Sequence, residues 1–225
     1  MTQTRPPQDH PPKDTPQGSA PHNMAPPDRG QADRDQAETG QAEAGIHDPI
    51  PAWVDGVLTP VDKLQAHRDG LRHKAVSVFV IRGTEILLQQ RAAGKYHTPG
   101  LWANTCCTHP HWQEEPARCA LRRLDQELGL RGLYPEFRHR LEYRADVGGG
   151  LIEHEVVDVF LAQVFAEPAL TPNPQEVAAT RWVDFHDLRA EIARHPDRFT
   201  PWLKIYMNDH ADRIFGPSLT PSARG

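Results

Sequence analysis

The first fifty residues contain no Phe, Trp, Tyr, Leu or Val, yet they hold nine of the chain's 22 prolines. A segment with so little to bury cannot offset the entropy of ordering its backbone, so residues 1–50 are expected to form a disordered, Pro-rich tail. Cysteine is scarce too. The three present, Cys106, Cys107 and Cys119, are odd in number with two adjacent, which excludes a disulfide framework and points to a reducing compartment. Long apolar runs are missing: nothing approaches the ~18 residues of a membrane span, and the N-terminus lacks the basic and apolar regions of a secretory signal. Nor is there an excess of positive charge. The net charge is −5, and the tail alone carries eight acidic against four basic residues, so the remainder is close to neutral and has no nucleic-acid footprint. The expectation is a cytoplasmic, monomeric protein that acts on a small molecule, with no nucleic-acid or membrane partner.

What is present lies in residues 51–215, a length suited to one domain with a single core. Trp53, Val54, Val57 and Leu58 form its first apolar cluster. A β-rich run over 76–81, a tight connection at Arg82-Gly83-Thr84 and a second run over 86–88 predict a hairpin. From Pro116 to Leu128 the residues Ala117, Ala120, Leu121, Leu124 and Leu128 recur at three- and four-residue intervals, with Pro in the first turn and Gly129 beyond the last. That spacing predicts an amphipathic helix. Strands are predicted over 137–143 and 152–165 around Gly148-Gly149-Gly150, and over 180–183; helices over 187–194 and 201–210; and a flexible end over 216–225. Strands with few helices and no regular βαβ alternation give an α+β, or mixed α/β, domain.

The chemistry concentrates in Trp102-Ala103-Asn104-Thr105-Cys106-Cys107-Thr108-His109-Pro110. In an extended chain, Cys107 and His109 face the same side, so a thiol and an imidazole can reach one cavity. A small buried thiol beside a surface imidazole has the same pattern. Glu153 and Glu155 share a strand face with Val157, Val159 and Leu161. Two carboxylates on an apolar face sit at a solvated strand end, hold a metal ion, or serve as acid and base. With His67, His73 and His109 they make a set suited to Zn²⁺, Mn²⁺ or Mg²⁺.

The predicted helix ends in Arg122-Arg123-Leu124-Asp125-Gln126-Glu127-Leu128-Gly129-Leu130. This resembles a degraded form of the Nudix signature, in which a cluster of glutamates holds the metal ions that activate water at a diphosphate. Here Arg123 and Gln126 stand where two glutamates are expected and only Glu127 survives, so hydrolysis should be poor. Arg123 and Glu127 also have the spacing of an ordinary i,i+4 ion pair on a solvated helix face.

Thr98-Pro99-Gly100-Leu101-Trp102 through Pro110, followed by Glu153-His154-Glu155-Val156, closely resembles the type 1 isopentenyl-diphosphate isomerases. The likeness runs from about Lys63 through Trp202. It implies a Nudix-like fold, a mixed sheet flanked by helices, and the interconversion of isopentenyl and dimethylallyl diphosphate by a 1,3 proton shift. By resemblance Cys107 acts on one face of the alkene and Glu155 with Tyr143 on the other; His67, His73, His109, Glu153 and Glu155 hold one divalent metal, Mn²⁺, Zn²⁺ or Mg²⁺. Trp202 covers the reacting carbons, Lys63, Arg91, Lys95 and Arg123 bind the diphosphate, and Glu127 holds Mg²⁺ with it. The rival expectation is a Nudix-type diphosphate hydrolase.

Overall fold

Along residues 72–82, Ala75, Phe79 and Ile81 alternate with Val76, Val78 and Val80, and in a strand those two sets face opposite ways. A strand apolar on both faces belongs inside a sheet with a layer on each side. The computed structural model, which describes residues 49–216 and 219, places it there.

The elements in chain order are β1 (Pro49–Val54), β2 (Val57–Asp62), α1 (Lys63–Arg68), β3 (Arg72–Arg82), β4 (Glu85–Arg91), β5 (Trp102–Ala103), β6 (Cys106–Thr108), α2 (Pro116–Leu128), β7 (Glu136–Gly148), β8 (Leu151–Gln163), β9 (Val177–Asp184), α3 (Phe185–Arg194), α4 (Pro201–Asp209) and α5 (Ala211–Phe215). The strands among the described residues join in one mixed sheet. β3 pairs antiparallel with β1, β4 and β6 and parallel with β8; β8 carries β7, and β4 carries β5 and β9. One face packs Phe79, Val157 and Val159 against Leu188 of α3, Leu203 and Tyr206 of α4 and Ile214 of α5. The other packs Val76, Val78 and Phe160 against Ala120, Leu124 and Leu128 of α2.

The predicted hairpins, the helix over 116–128 and the C-terminal helices are present. Short elements that depend on pairing partners, β1, β2, β5, α1 and α5, carried no periodic signal. α3 starts at Phe185 rather than at 187, because the Asp184 carboxylate accepts from the His186 and Asp187 backbone N–H groups and caps the helix two residues earlier. The expected tail and flexible end lie outside the described residues except at four positions. Pro49 and Ile50 begin β1, with Ile50 buried, so the ordered chain starts before 51; Gly216 and Leu219 are described, and Leu219 is buried in the core. Among the described residues no helix is long and apolar enough to cross a membrane.

α2 ends at Gly129, whose φ of 68° is the left-handed cap that glycine adopts without strain. The loop beyond it returns over the helix end: Thr171 N–H donates to Leu128 O at 2.8 Å and Asn173 N–H to Glu127 O at 2.9 Å. A Cβ at position 129 meets Thr171 Cβ at 2.8 Å, so Gly129→Ala adds a clash to the ~1–2 kcal/mol of a left-handed non-glycine residue. Urea unfolding should show a loss of about 2 kcal/mol or more. A loss of under about 0.5 kcal/mol, the range of ordinary surface changes, would mean that this loop is not pinned to the helix.

Candidate active site

Strand register gathers the site. His73 pairs with Glu155 across β3 and β8, Ser77 with Cys107 across β3 and β6, and Tyr143 with Glu155 across β7 and β8. Side chains alternate faces along a strand, so all of these emerge on the face covered by α4. A backbone bond from Thr200 N–H to Trp102 O, 3.0 Å, ties the start of α4 to β5 and sets Trp202 over the group. The result is a cleft of about 400 Å³, including its open mouth, lined by Cys107, Tyr143, Glu155 and Trp202 together with Lys63, Arg91, Lys95 and Arg123, the Arg91 guanidinium lying 5.2 Å from the Trp202 ring centroid.

The Cys107 thiol sits in a closed ring of hydrogen bonds. Its S–H donates to Asn104 Oδ1 at 3.0 Å, Asn104 Nδ2 donates to Ser77 Oγ at 2.9 Å, and the Ser77 hydroxyl returns to Cys107 Sγ at 3.0 Å. Asn104 and Ser77 are fully buried, so the ring holds one orientation. Burial pushes the Cys107 pKa well up, and the nearby Glu155 and Glu153 carboxylates add to it.

Tyr143 Oη lies 2.7 Å from Glu155 Oε2 and 2.8 Å from Glu153 Oε2. A phenol has one proton to donate, so two ionised carboxylates cannot both be served. Glu153 is the one that keeps a proton: burial first, then the Glu155 charge, raise its pKa well above the carboxylate range. Burial also acts on Glu155, but the hydrogen bond from His109, 2.9 Å, and the nearby His73 outweigh it and hold that carboxyl well below the range. The Tyr143 hydroxyl thus bridges the two carboxyl groups with its single proton. With side chains only a few per cent exposed, neither glutamate sits at a solvated strand end.

The imidazoles converge on the same carboxylate. His67, His73, His109 and Glu155 each offer a ligand atom, all within 4.8 Å of one another. His67 Nδ1 lies 2.7 Å from Lys63 O and His73 Nδ1 lies 2.7 Å from Leu71 O, so each donates there and its Nε2 keeps the lone pair. Those two Nε2 atoms and His109 Nδ1 are buried without a hydrogen-bond partner. Burial, then neighbouring His73, takes the His67 pKa down to about 4, and burial carries His109 well below its usual value; both are neutral imidazoles. Orphaned neutral imidazole nitrogens around an ionised carboxylate are the donor set of a borderline divalent cation. Glu153 stands apart from this group and pairs instead with His67 and His97.

At the cationic end, Lys63 is held at about 8 by burial and then by Lys95, Arg123 and Arg91, and the buried Arg91 Nε has no partner. Arg123 does bond Glu127, at 2.6 Å, but Glu127 is buried and Arg123 lines the cleft, so the pair is no solvated-face contact. Glu127 itself does not line the cleft; its second oxygen accepts from Gln89 Nε2 at 2.8 Å. Glu176, on the loop that covers the end of α2, is bonded by both Lys95 and Arg123. Every site residue expected from sequence is therefore brought to this region, most to the cleft wall, with Glu127 behind Arg123 and Glu153 apart from the four-donor cluster. Residue patterns missed Glu176, His97, Ser77 and Asn104. Asn104 lay inside the quoted motif; Glu176 and His97 are single polar residues in loops, and only the fold brings them in.

The NUDIX domain family pattern matches residues 71–203. An isopentenyl-diphosphate Delta-isomerase from Ruegeria pomeroyi is 66% identical over 175 residues, covering 78% of this chain and 97% of that protein. One from Dinoroseobacter shibae is 64% identical over 173 residues, covering 77% of this chain and 98% of its own. Among solved structures, one from Deinococcus radiodurans superposes with a TM-score of 0.51 at 12% identity, over 65% of this chain and 88% of its own, a likeness of fold alone.

A thiol with a raised pKa stays protonated through neutral pH, and thiolate appears only above the ordinary cysteine range. Alkylation of Cys107 by iodoacetamide, followed by peptide mass spectrometry, should remain slow from about pH 6 to 9 and rise only above that. A rate already on its plateau at neutral pH would contradict the buried, un-ionised thiol.

Proposed function

This chain belongs to the isopentenyl-diphosphate Delta-isomerase family on a NUDIX fold, and from that premise we propose how its cleft performs the isomerisation. The reaction moves a proton from one carbon of an isoprenoid diphosphate to another two carbons away. Protonating the terminal alkene carbon leaves a tertiary cation; losing a proton from the carbon on the diphosphate side gives the dimethylallyl isomer, with no net change in protons. The chemistry needs a donor, an acceptor and a pocket that tolerates positive charge while excluding water.

The observation that carries this reading is one cleft holding a neutral thiol, a carboxylate relayed through a phenol, and an indole. Cys107 and the Glu155–Tyr143 pair serve the two faces of the alkene, one giving a proton and the other taking one. Trp202, 2% exposed, offers its ring face to the cation by cation–π attraction. The diphosphate enters the cationic end, where Arg91 and Arg123 grip oxygens in a fork and Lys63 and Lys95 act as point charges. Lys95 and Arg123 exchange Glu176 for the diphosphate on binding.

A divalent ion on His67, His73, His109 and Glu155, Mn²⁺, Zn²⁺ or Mg²⁺, would supply positive charge beside Tyr143, stabilise the ionised Glu155 and ease release of the phenol proton. Glu127 would hold Mg²⁺ together with diphosphate oxygens once Arg123 turns to the substrate, the one-carboxylate arrangement that Mg²⁺ favours. The hydrolase alternative has less support, because Arg123 and Gln126 leave the helix without the carboxylate cluster that water activation requires.

In D₂O with Mg²⁺ and isopentenyl diphosphate, the protein should incorporate deuterium and yield dimethylallyl diphosphate; phosphate release without isomer would sink this reading. Cys107→Ser should cost about 10²-fold or more in turnover with the fold intact, the scale of a lost general acid or base. Cys106→Ser, on the opposite sheet face against α2, should stay within a few-fold of the parent. Equal losses in the two variants would remove Cys107 from its role.

A further inference from the structure

Arg123 reaches the cleft with most of its donors taken. A guanidinium has five N–H groups. In Arg123, Nε and one on Nη2 go to Glu127 Oε1 at 3.0 and 2.6 Å, the second on Nη2 goes to Glu176 Oε1 at 3.1 Å, and one on Nη1 goes to Gln126 Oε1 at 3.3 Å. A single N–H remains, so Arg123 cannot fork onto phosphate oxygens until a carboxylate lets go. Glu127 is the firmer partner: it makes the shorter bond, its side chain is 5% exposed, and Gln89 Nε2 holds its other oxygen at 2.8 Å. Glu176 makes the longer bond and is 22% exposed, and its second oxygen accepts from Lys95 Nζ.

Glu176 is a tethered anion. Its N–H donates to Asn173 O at 2.9 Å and its carbonyl accepts from Ala92 N–H at 3.0 Å, so the main chain is fixed and only the side chain has to move. Burial opposes ionisation, but Lys95 and Arg123 outweigh it and bring the carboxyl pKa down to about 2, which keeps the charge in place at neutral pH. Glu176 does not line the cleft, whereas the two cations it holds do. A carboxylate on a fixed main chain stands at a high effective concentration and returns to both cations whenever another anion leaves.

We propose that Glu176 is a built-in competitor of the diphosphate, a counter-anion that Lys95 and Arg123 release on binding and take back when the product departs. This deepens, and rests on, the reading of Lys63, Arg91, Lys95 and Arg123 as the diphosphate seat. The isomerisation leaves the diphosphate untouched, so substrate and product meet the same four cations. Binding energy from that group is therefore uniform through the reaction and adds nothing to the chemical step, while each increment of it slows product release. Glu176 acts through Lys95 and Arg123 as a positioning residue: it loosens the grip on both molecules by the same factor without touching the reacting carbons.

The test is calorimetric titration of the full chain with inorganic pyrophosphate at fixed Mg²⁺, with folding followed by circular dichroism. Glu176→Gln, which keeps the shape and removes the charge, should bind pyrophosphate about tenfold more tightly than the parent, the scale of one close charge pair. Glu176→Ser removes the charge and keeps the main-chain bonds; it should shift in the same direction and decides the matter if the Gln variant does not fold. Glu176→Asp, which keeps the charge, should stay close to the parent. In turnover assays KM for isopentenyl diphosphate and the inhibition constant of dimethylallyl diphosphate should fall together in the neutral variants. A merely structural role has the opposite sign, because loosened cations bind an anion less well. Unchanged or weaker pyrophosphate binding by the folded neutral variants would overturn the proposal, as would an Asp variant that tightens as much as the Gln variant. A parent that binds no pyrophosphate overturns instead the diphosphate seat itself.

Discussion

The parallel pairing of β3 with β8 is the constraint from which the site follows. Its register sets His73 opposite Glu155 and Ser77 opposite Val159, and β6 and β7 take their alignment from these two strands. Strand periodicity is two, so a slip of one residue would turn Glu153 and Glu155 toward α2 and bring His154 into the core. The apolar residues that forbid the slip, Val157 and Val159 on one face and Phe160 and Ala162 on the other, lie farther along the same strand. Core packing and catalytic geometry are thus one decision.

Burial then does the electrochemical work. Removed from water, His67, His97 and His109 give up their charge, the Cys107 thiol and the Tyr143 phenol keep their protons, and the two glutamates divide into one neutral and one ionised. Positive charge instead collects on Lys63, Arg91, Lys95 and Arg123, with Glu127 and Glu176 paired to Arg123 and Glu176 also to Lys95. The cleft therefore sets four basic side chains beside a buried indole, thiol and phenol, which suits an amphiphilic molecule with an anionic head and an apolar tail.

Much of this was legible in the residues. The helix over 116–128 and the strands around Gly148-Gly149-Gly150 announce themselves by period, and Cys107, His109, Glu153 and Glu155 by motif. The remainder depends on tertiary pairing. β5 and β6 are two and three residues long and exist only because β4 and β3 are beside them. The closeness of His67 and His73 has the same cause: one lies in the last turn of a helix, the other near the start of a strand, and the turn between them brings their rings to 4.7 Å. Composition hid the location of charge, since a near-neutral average conceals a cationic end and a buried acidic one. Glu176 was invisible because its partners come from β4's following loop and from α2, far away in sequence.

The backbone carbonyls that fix His67 and His73 belong to the protein's own ladder of turns and strands, and they aim both rings before any ion arrives. Ion loading therefore makes no demand on folding. A core on both faces of the sheet holds the chain together by itself, so a cation that reached these nitrogens would complete a cage already built.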